Sequence, residues 1–561
     1  MPYKGTQHMK KQRTLIFLLI VFILVISGCL QQQAGETSSA GIGETSELIT
    51  DNPTKPPSPQ VLSFEAVEDA SVDAADMEDP HSDLNKYIAD EYKPDIELYN
   101  FLYRKVDAMS KEADLSGFDL TFEEKYATAG CLFAETNFRF FYFKNFKLRN
   151  DGGIIKFLYY DIMPDDMALN KETLCARLSH LFNNVAPERY SQLQKFMALY
   201  QHICDISDYT HDISDITTHS PYSILTGGRG ICAGYAQLME YALGKLGIEC
   251  EYVTTDAHAW NIVKLGGKWY HTDVTWGVGT SADPRSNLCH ILMDDETRLT
   301  SLGFEGLPLE KIIVGYAGGD EEAPPACTDT SYKAYYITGF CQALDIENGK
   351  VYFSDIDSID RMNLDCTGRE TLVHGDSCRH MYWFDGALYY NSANDGHIYR
   401  IAEGKEPELL DGSDMFFNMA LCGTRIIYGR DESGDDSLTI NLMNLPDETR
   451  GALMLSEAST KRSRSFCVRI RFSEPMDEAQ NWSEHVYLAD DKGSAIPLHF
   501  VFDSKTNTLT VRPKIFVADF PYVNVYVTSG AEGLSGGKTD KCWGMKVNIV
   551  SEANAVSPEA R

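Results

Sequence analysis

The sequence is poor in positive charge. Its 561 residues contain 50 lysines and arginines against 82 aspartates and glutamates, which gives a formal net charge of −32 at pH 7. A surface of this sign repels the phosphates of nucleic acids and the head groups of anionic lipids. We therefore expect no nucleic-acid partner and no attachment to a lipid surface by charge alone.

The sequence also lacks the spacings by which metal sites are recognised. It contains no CxxC or HxxxH pair and no EF-hand loop. Cys232, His258, Asp273 and His271 are the right residue types for a zinc site, but no spacing supports one. The sequence therefore predicts no metal and no cofactor.

The cysteines lack the spacing that is typical of a disulfide framework. The chain has 14 of them, scattered over its whole length. An exported protein could pair them, but positions of this kind fit free thiols equally well. We predict no particular disulfide.

The chain also lacks an apolar run of comfortable membrane-spanning length. The stretch Leu15–Ile26 is too short, and basic residues precede it. The tetrapeptide ISGC, which ends at Cys29, resembles a bacterial lipobox. We interpret residues 1–28 as a lipoprotein signal peptide and Cys29 as the lipidated first residue of an extracytoplasmic, membrane-anchored protein. A short uncleaved anchor is the alternative.

Residues 29–84 show no apolar periodicity. They are rich in proline, serine and acidic residues, as in NPTKPPSPQ and EAVEDASVDAADMEDP. We predict a disordered tether that holds the folded part away from the membrane.

A helix is predicted directly after Cys232. Six apolar residues between Tyr235 and Leu246 recur with helical spacing, and Gly247 follows as a stop signal. Cys232 then lies at the helix N-terminus, where free N–H groups and the helix dipole favour a thiolate. A thiol of lowered pKa is what a cysteine nucleophile needs at neutral pH.

A hairpin is predicted after this helix. Ala259–Leu265 and Lys268–Val274 are rich in β-branched and aromatic residues, and Gly266-Gly267 between them suits a two-residue turn. The predicted cross-strand pairs are Leu265 with Lys268, Val263 with Tyr270, and Trp260 with Asp273. This register places His258 and Asp273 on one face as diagonal neighbours, so that the carboxylate can orient the imidazole.

Two other residues compete for these roles. His271 lies on the same face of the hairpin and is a rival base, although packing or a supporting hydrogen bond explains it better. Asp256 is a rival orienting acid, but its neighbour Ala257 favours a turn at this position. The predicted catalytic set is therefore Cys232, His258 and Asp273.

Three stretches around this set resemble the transglutaminase-like superfamily in its bacterial branch. They are GICAGYA around Cys232, HAWN from His258, and KWYHTDVTW, which contains Asp273. The later CHILMDDE resembles the segment that closes this domain. The resemblance implies an α+β papain-like fold, in which the cysteine helix packs on an antiparallel sheet that carries histidine and aspartate. We place the domain at residues 85–318, with its core at 209–296.

The resemblance implies the chemistry better than the substrate, because the superfamily includes cross-linkers, peptidases, peptide N-glycanases and inactive scaffolds. Cys232 would attack an amide carbonyl, His258 would move the proton, and Asp273 would hold the ring tautomer. Water or an amine would then resolve the thioester, and both stay open. The expected partner is a protein or peptide at the cell envelope. A catalytically inactive binding or scaffold lipoprotein is the alternative.

The region before the cysteine is predicted to be mostly helical and to form the front half of this domain. Amphipathic spacing predicts helices at Leu98–Ser110, Lys171–Asn183 and Ser191–Ile206, and aromatic content favours strands at Arg139–Phe146 and Ile154–Tyr160.

Residues 330–450 contain a weak internal repeat. ENGKVYFSD, FDGALYYNS and LCGTRIIYG recur at a period of 37 to 38 residues, and IDRMNLD and IYRIAEG follow the first two. Such units are typical of antiparallel, propeller-like blades and resemble bacterial repeats of the 5050 type of domains of unknown function. Either a strand such as Ala334–Cys341 completes a blade, or the region is an open β array.

Residues 458–550 are predicted to form an independent β-sandwich. Val468, Ile470 and Phe472 alternate with arginines, and further strands follow. FSEPMD, LTVRP and VYVTSGAEGLSG resemble bacterial Ig-like domains of the S-layer type. The resemblance implies a module that orients a neighbouring domain at the cell surface.

Overall fold

The computed structural model describes residues 58–69, 95–135, 140–160, 164–212, 216–255, 258–278, 288–300, 312–314, 324–338, 341–430 and 437–551. The chain divides into two units, Met1–Lys55 and Pro56–Arg561, and every described residue belongs to the second. The predicted signal peptide and Cys29 lie outside the described residues. Among the helices that are described, none has both the length and the apolar character needed to cross a bilayer.

The helices and strands alternate up to about residue 340, and strands dominate after it. The helices are α1 (Ile96–Asp107), α2 (Phe122–Glu135), α3 (Pro164–His180), α4 (Gln192–Ile206), α5 (Pro221–Gly227), α6 (Cys232–Lys245), α7 (Val274–Gly277), α8 (Asp295–Thr300) and α9 (Lys333–Thr338). The strands of this first part and of the preceding segment are β1 (Val61–Glu68), β2 (Glu112–Asp114), β3 (Phe143–Leu148), β4 (Ile154–Tyr159), β5 (Asp208–Tyr209), β6 (Arg229–Gly230), β7 (Cys250–Thr254), β8 (Ala259–Leu265), β9 (Lys268–Thr272) and β10 (Ile313–Val314).

The strands after residue 340 fall into two groups. The first group is β11 (Gln342–Asp345), β12 (Lys350–Ser354), β13 (Ser358–Asn363), β14 (Glu370–His374), β15 (Cys378–Phe384), β16 (Ala387–Ser392), β17 (Ile398–Ala402), β18 (Glu408–Asp411), β19 (Asn418–Cys422), β20 (Arg425–Gly429) and β21 (Leu438–Asn441). The second group is β22 (Leu453–Lys461), β23 (Phe466–Phe472), β24 (Val486–Ala489), β25 (Ala495–Ile496), β26 (Leu498–Asp503), β27 (Thr508–Pro513), β28 (Tyr522–Val527) and β29 (Trp543–Val550).

The helices before Cys232 begin at residues that cap them. Asp95 Oδ1 accepts the N–H of Leu98 at 2.7 Å at the start of α1, and Ser191 and Gln194 form a capping box at the start of α4. Their apolar stripes pack with that of α6 into one core, which includes Leu98, Leu102, Phe196, Leu199, Leu238 and Leu243. The three predicted helices and both predicted strands of this region are confirmed, with shifted ends.

A four-stranded antiparallel sheet of order β10-β7-β8-β9 packs against α6. In the β8–β9 hairpin the predicted pairs Leu265 with Lys268 and Val263 with Tyr270 are confirmed. Pairing ends one residue short of the predicted pair of Trp260 with Asp273, because β9 ends at Thr272. The turn glycines have φ values of 57° and 80°, which the tight turn requires and which other residues rarely adopt.

The repeat region forms three antiparallel sheets in chain order. They contain β11–β14, β15–β18 and β19–β21, with four, four and three strands. The predicted repeats ENGKVYFSD, FDGALYYNS and LCGTRIIYG supply β12, β16 and β20, the second strand of each sheet. Within the described part of this region, three sheets are fewer than a closed propeller normally contains.

The alternative in which a strand at Ala334–Cys341 completes a blade is wrong. Lys333–Thr338 is a helix, and Tyr335 is fully buried in the core that contains Leu238 and Leu243. Its hydroxyl donates to the carbonyl oxygen of Leu364 at 2.7 Å. Tyrosine favours strands on average, but burial of this side chain and its hydrogen bond outweigh that preference. The first sheet takes its first strand from Gln342–Asp345 instead.

The C-terminal region consists of two sheets that share one core. The strand orders are β1-β23-β27-β26 and β22-β29-β28-β24-β25, and the core between them includes Val468, Ile470, Leu509, Val525 and Trp543. Val468, Ile470 and Phe472 point inward while Arg469 and Arg471 are exposed, so the predicted alternation of β23 is confirmed. The finer resemblance to Ig-like domains stays a prediction.

The predicted disordered tether at 29–84 is wrong for residues 61–68. These residues form β1, which pairs antiparallel with β23 and buries Val61 and Phe64 in the sandwich core. Asp69, directly after β1, accepts a hydrogen bond from Arg512 Nη2 at 2.7 Å. The acidic composition concealed this strand, because its glutamates lie on exposed or partly exposed positions while only Val61 and Phe64, which are three residues apart across a register shift, are buried.

We expect Phe64→Ala to loosen the sandwich locally. Removal of a buried phenylalanine side chain costs on the order of 3 kcal/mol. In hydrogen exchange of the full chain, the amides of β23 and β27 should then exchange about two orders of magnitude faster. Leu62→Ala is the matched control, since Leu62 is 58% exposed. Equal exchange in both variants would contradict the assignment of β1 to the core.

Candidate active site

Cys232 is the first residue of α6, as predicted. Two glycines in GICAG let the preceding chain approach this helix closely. A Cβ on Gly230 would lie 2.6 Å from Ile224 Cγ1, and a Cβ on Gly234 would lie 3.0 Å from the carbonyl oxygen of Thr218. The thiol is therefore held at the helix tip, in a half-buried position.

His258 and Asp273 lie at neighbouring ends of the hairpin. His258 directly precedes β8 and Asp273 directly follows β9. His258 Nε2 is 2.6 Å from Asp273 Oδ2; the aspartate side chain is fully buried, and 21% of the histidine side chain is exposed. The Thr275 N–H donates to Asp273 Oδ1 at 2.9 Å, so both carboxylate oxygens have a donor. The ring is thereby anchored through Nε2, which leaves Nδ1 as the nitrogen that can serve the thiol.

The Cys232 thiol and the His258 ring are close enough for a hydrogen bond and a charge interaction through which each shifts the pKa of the other. Burial disfavours the thiolate, but the hydrogen bond and charge of His258 and the N–H of Ala259 outweigh it, so the pKa of the Cys232 thiol is lowered. Burial also disfavours the imidazolium, but Asp273 and Cys232 outweigh it and raise the pKa of His258 to about 10. The two shifts therefore favour transfer of the thiol proton to the ring, which gives a thiolate–imidazolium pair.

Trp260 links the two histidines of the hairpin. Its ring stacks on His258, with centroids 5.7 Å apart and an interplanar angle of 17°. Its indole Nε1–H donates to His271 Nδ1 at 3.2 Å. Because an indole N–H only donates, His271 Nδ1 is the unprotonated nitrogen, and Nε2–H donates to Asp295 Oδ1 at 2.9 Å.

His271 is therefore a supporting residue and not the base. The ring is fully buried, burial lowers its pKa, and both of its nitrogens are engaged by Trp260 and Asp295. The interpretation of His271 as a supporting hydrogen-bond partner is confirmed. The other rival, Asp256, lies outside the described residues.

A second cluster of side chains that could ligate a metal includes His271, which Trp260 connects to His258. His271, Asp295 and Cys327 bring one such atom each to within 4.8 Å of one another. A metal on His271 Nε2 would move the ring proton to Nδ1, where it would oppose the indole N–H of Trp260. Asp295 Oδ2 also accepts the Cys327 N–H at 3.0 Å, and burial raises the pKa of the Cys327 thiol. These contacts fit a hydrogen-bonded support better than a metal site.

Sequence reasoning missed the role of Asp295. The run Asp294-Asp295-Glu296 shows only its acidity, whereas in the fold Asp294 Oδ1 caps α8 by accepting the Thr297 N–H at 2.9 Å, and Asp295 bonds His271. The spacing of 24 residues between His271 and Asp295 carries no local signal for this contact.

Alkylation of Cys232 tests the thiolate–imidazolium pair. Because the pKa of the thiol is lowered, iodoacetamide should modify Cys232 at a pH below the range in which glutathione ionises. In His258→Gln the imidazolium is absent and only the Ala259 N–H is left to oppose burial, so the reactive range should move to higher pH. Peptide-level mass spectrometry measures both profiles. Coincidence of the Cys232 and glutathione profiles would contradict the pair.

Substitutions of His271 that restore one of its two hydrogen bonds at a time test its supporting role. His271→Ala leaves the Trp260 indole and the Asp295 carboxylate without this partner, and we expect the free energy of unfolding to fall by about 2–4 kcal/mol. His271→Asn can restore the acceptor for Trp260, and His271→Gln can restore a donor to Asp295, so each should recover part of the loss. Urea unfolding followed by tryptophan fluorescence measures the series. A loss below about 1 kcal/mol in the alanine variant would be inconsistent with this network.

Part of this chain is similar in sequence to known proteins. Residues 180–274 match the family described as the Transglutaminase-like superfamily. The Kyphoscoliosis peptidases of Mus musculus and Homo sapiens are each 29% identical to the chain, over 133 and 135 residues. Each match covers 20% of this chain and 20% of the relative, so the chain spans about a fifth of the length of these relatives.

Among solved structures, the crystal structure of a TGase is 17% identical, covers 23% of this chain and 44% of that chain, and has a TM-score of 0.17. A chain of a nidogen/laminin complex is 20% identical, with coverages of 18% and 41% and a TM-score of 0.15. TM-scores this low support no structural inference. The sequence match alone carries the assignment: residues 180–274 form a transglutaminase-like segment, and Cys232, His258 and Asp273 all lie within it.

Proposed function

We propose that this protein is a cysteine-dependent enzyme that transfers or hydrolyses acyl groups at amide bonds of proteins or peptides. Cys232 is the nucleophile, His258 the general base and acid, and Asp273 the residue that orients the ring. The observation that carries the proposal is the contact of a half-buried thiol with an imidazole whose other nitrogen lies 2.6 Å from a buried carboxylate. His271 is also engaged on both nitrogens, but it has an indole N–H where His258 has a thiol, so only His258 lies beside a group that can act as a nucleophile.

The reaction begins from the thiolate–imidazolium pair. The sulfur attacks the amide carbonyl, and the His258 imidazolium gives its proton to the leaving amine, so that a thioester forms on Cys232. The neutral ring then takes a proton from the incoming water or amine, which displaces the sulfur. Asp273 keeps the ring in one orientation through both steps.

The developing oxyanion needs hydrogen-bond donors. The N–H of Cys232 is suited to this role, because the first N–H groups of a helix have no acceptor within the helix. The N–H of Ala259 serves the sulfur instead, since it is the backbone group that lowers the pKa of the thiol.

Water is the acyl acceptor that we favour. The curated relatives are named as peptidases, and they match the chain over a fifth of their length. An amine acceptor, which would cross-link proteins, uses the same residues and is distinguished by experiment. A catalytically inactive scaffold is the alternative of another class.

We further propose that the enzyme acts at the cell envelope, anchored to the membrane through lipid on Cys29. The support is the short apolar run with basic residues before it and the ISGC sequence that follows. Substrates would then be envelope proteins or peptides.

A trapping experiment tests the chemistry. The full chain is incubated with envelope protein and a labelled primary amine, and the products are identified by mass spectrometry. We expect cleaved or deamidated amides in wild type, none with Cys232→Ser, and a rate roughly ten-thousandfold lower with Asp273→Asn, because the ring loses its orienting charge. Cys422→Ser is the matched control, since Cys422 is an exposed thiol far from the site in sequence.

If the labelled amine is incorporated into envelope protein, the reaction is cross-linking and not hydrolysis. No product in wild type, with Cys232 still alkylated at low pH, would favour the inactive scaffold. If the activity of Asp273→Asn falls only as far as its loss of folded protein explains, the carboxylate is structural.

A further inference from the structure

Two thiols meet where the first two sheets of the repeat region pack together. Cys341 directly precedes β11, the first strand of the first sheet, and Cys378 begins β15, the first strand of the second sheet. Their sulfur atoms lie 3.4 Å apart. Both residues are buried, with 7% and 8% exposure, and both belong to one apolar cluster.

The repeat itself explains this meeting. The two cysteines are 37 residues apart, which equals the period of the repeated sequence units, so they occupy equivalent positions of neighbouring units. Equivalent strands of successive sheets pack side by side here.

One residue, Ser354, holds the two backbones together at this point. The Ser354 N–H donates to the carbonyl oxygen of Cys341 at 3.0 Å, and the Cys378 N–H donates to Ser354 Oγ at 2.9 Å. Ser354 ends β12, the neighbour of β11. The two thiols thus lie on main-chain segments that Ser354 holds together, and their sulfur atoms need to approach from 3.4 Å to the ~2.05 Å of a covalent bond.

We propose that Cys341 and Cys378 form a disulfide that ties the first two sheets of the repeat region together. The oxidant is a low-molecular-weight disulfide such as oxidised glutathione. The thiolate of one cysteine attacks a sulfur of that disulfide and releases one small thiol, which leaves a mixed disulfide on the protein. The second cysteine thiolate then attacks the protein sulfur and expels the second small thiol. Two electrons pass to the small disulfide, and the two protons of the cysteines end on the two released thiols.

Burial sets the conditions of this reaction. It raises the pKa of the Cys378 thiol, so the thiolate is scarce in the closed structure. Exchange should therefore be slow in the folded protein and should proceed through local opening of the sheet pair. Once formed, the buried bond should be reduced slowly for the same reason, so reversal by dithiothreitol needs prolonged incubation. The proposal is independent of the chemistry at Cys232.

The test compares reduced and oxidised full-length protein. The chain is purified under reduction, incubated with oxidised glutathione, blocked with iodoacetamide and digested without reductant. Mass spectrometry should find a linked peptide pair that contains Cys341 and Cys378, in wild type and in the control Cys422→Ser. The pair should be absent in Cys341→Ser. Closure of the loop should raise the thermal unfolding midpoint by several degrees, and dithiothreitol should reverse this shift.

Glutathionylation of the exposed Cys422 in wild type shows that the oxidant acted. If Cys422 is modified and both buried thiols are recovered as separate alkylated peptides after prolonged oxidation, the proposal is overturned. Linkage of either cysteine to a different partner overturns it as well. Should Cys341→Ser fail to fold, the peptide map of the oxidised wild-type chain decides alone.

Discussion

The hydrogen bond between His258 and Asp273 is the interaction on which the candidate site depends. Asp273 is fully buried, and a buried carboxylate is tolerated only with donors on its oxygens. The Thr275 N–H supplies one donor and the imidazole supplies the other. The ring therefore cannot turn away from the aspartate without a large energetic cost, and its remaining nitrogen stays directed at the sulfur. A change of one residue in the hairpin register would separate the two side chains, so the two-glycine turn sets the chemistry.

The two histidines of this hairpin show how partners decide a role. Both lie on the same face and each is bonded to an aspartate. His258 has a thiol on its second nitrogen, is partly exposed and has a raised pKa, which suits an acid–base group. His271 has an indole donor on its second nitrogen, is fully buried and has a lowered pKa. The neutral His271 ring accepts a hydrogen bond from Trp260, and Trp260 stacks against the His258 ring that contacts the thiol.

Local patterns predicted the parts of this structure that local forces determine. The apolar stripe after Cys232 predicted α6, and Gly266-Gly267 predicted the hairpin register, since a two-residue turn permits few alternatives. Asp295 was beyond such reasoning, because its contact with His271 depends on how the chain returns to the sheet. The helix Lys333–Thr338 and the strand Val61–Glu68 were missed for a related reason. Burial of Tyr335 in one case, and pairing with a strand some 400 residues away in the other, outweigh what composition suggests.

The protonation state of His258 tests the account most directly. The full chain is labelled with ¹⁵N only in histidine, and the His258 signals are assigned by their loss in His258→Gln. The pKa of the thiol is lowered and the pKa of His258 is raised to about 10. We therefore expect the ring nitrogens of His258 to show the chemical shifts of an imidazolium across the neutral range, and to lose them only as the pH approaches 10. Replacement of Cys232 by alanine should lower the pH of that change, because the thiolate no longer stabilises the charged ring. A neutral His258 ring at pH 7 in the unmodified protein, with the ordinary titration of a free histidine, would contradict the account.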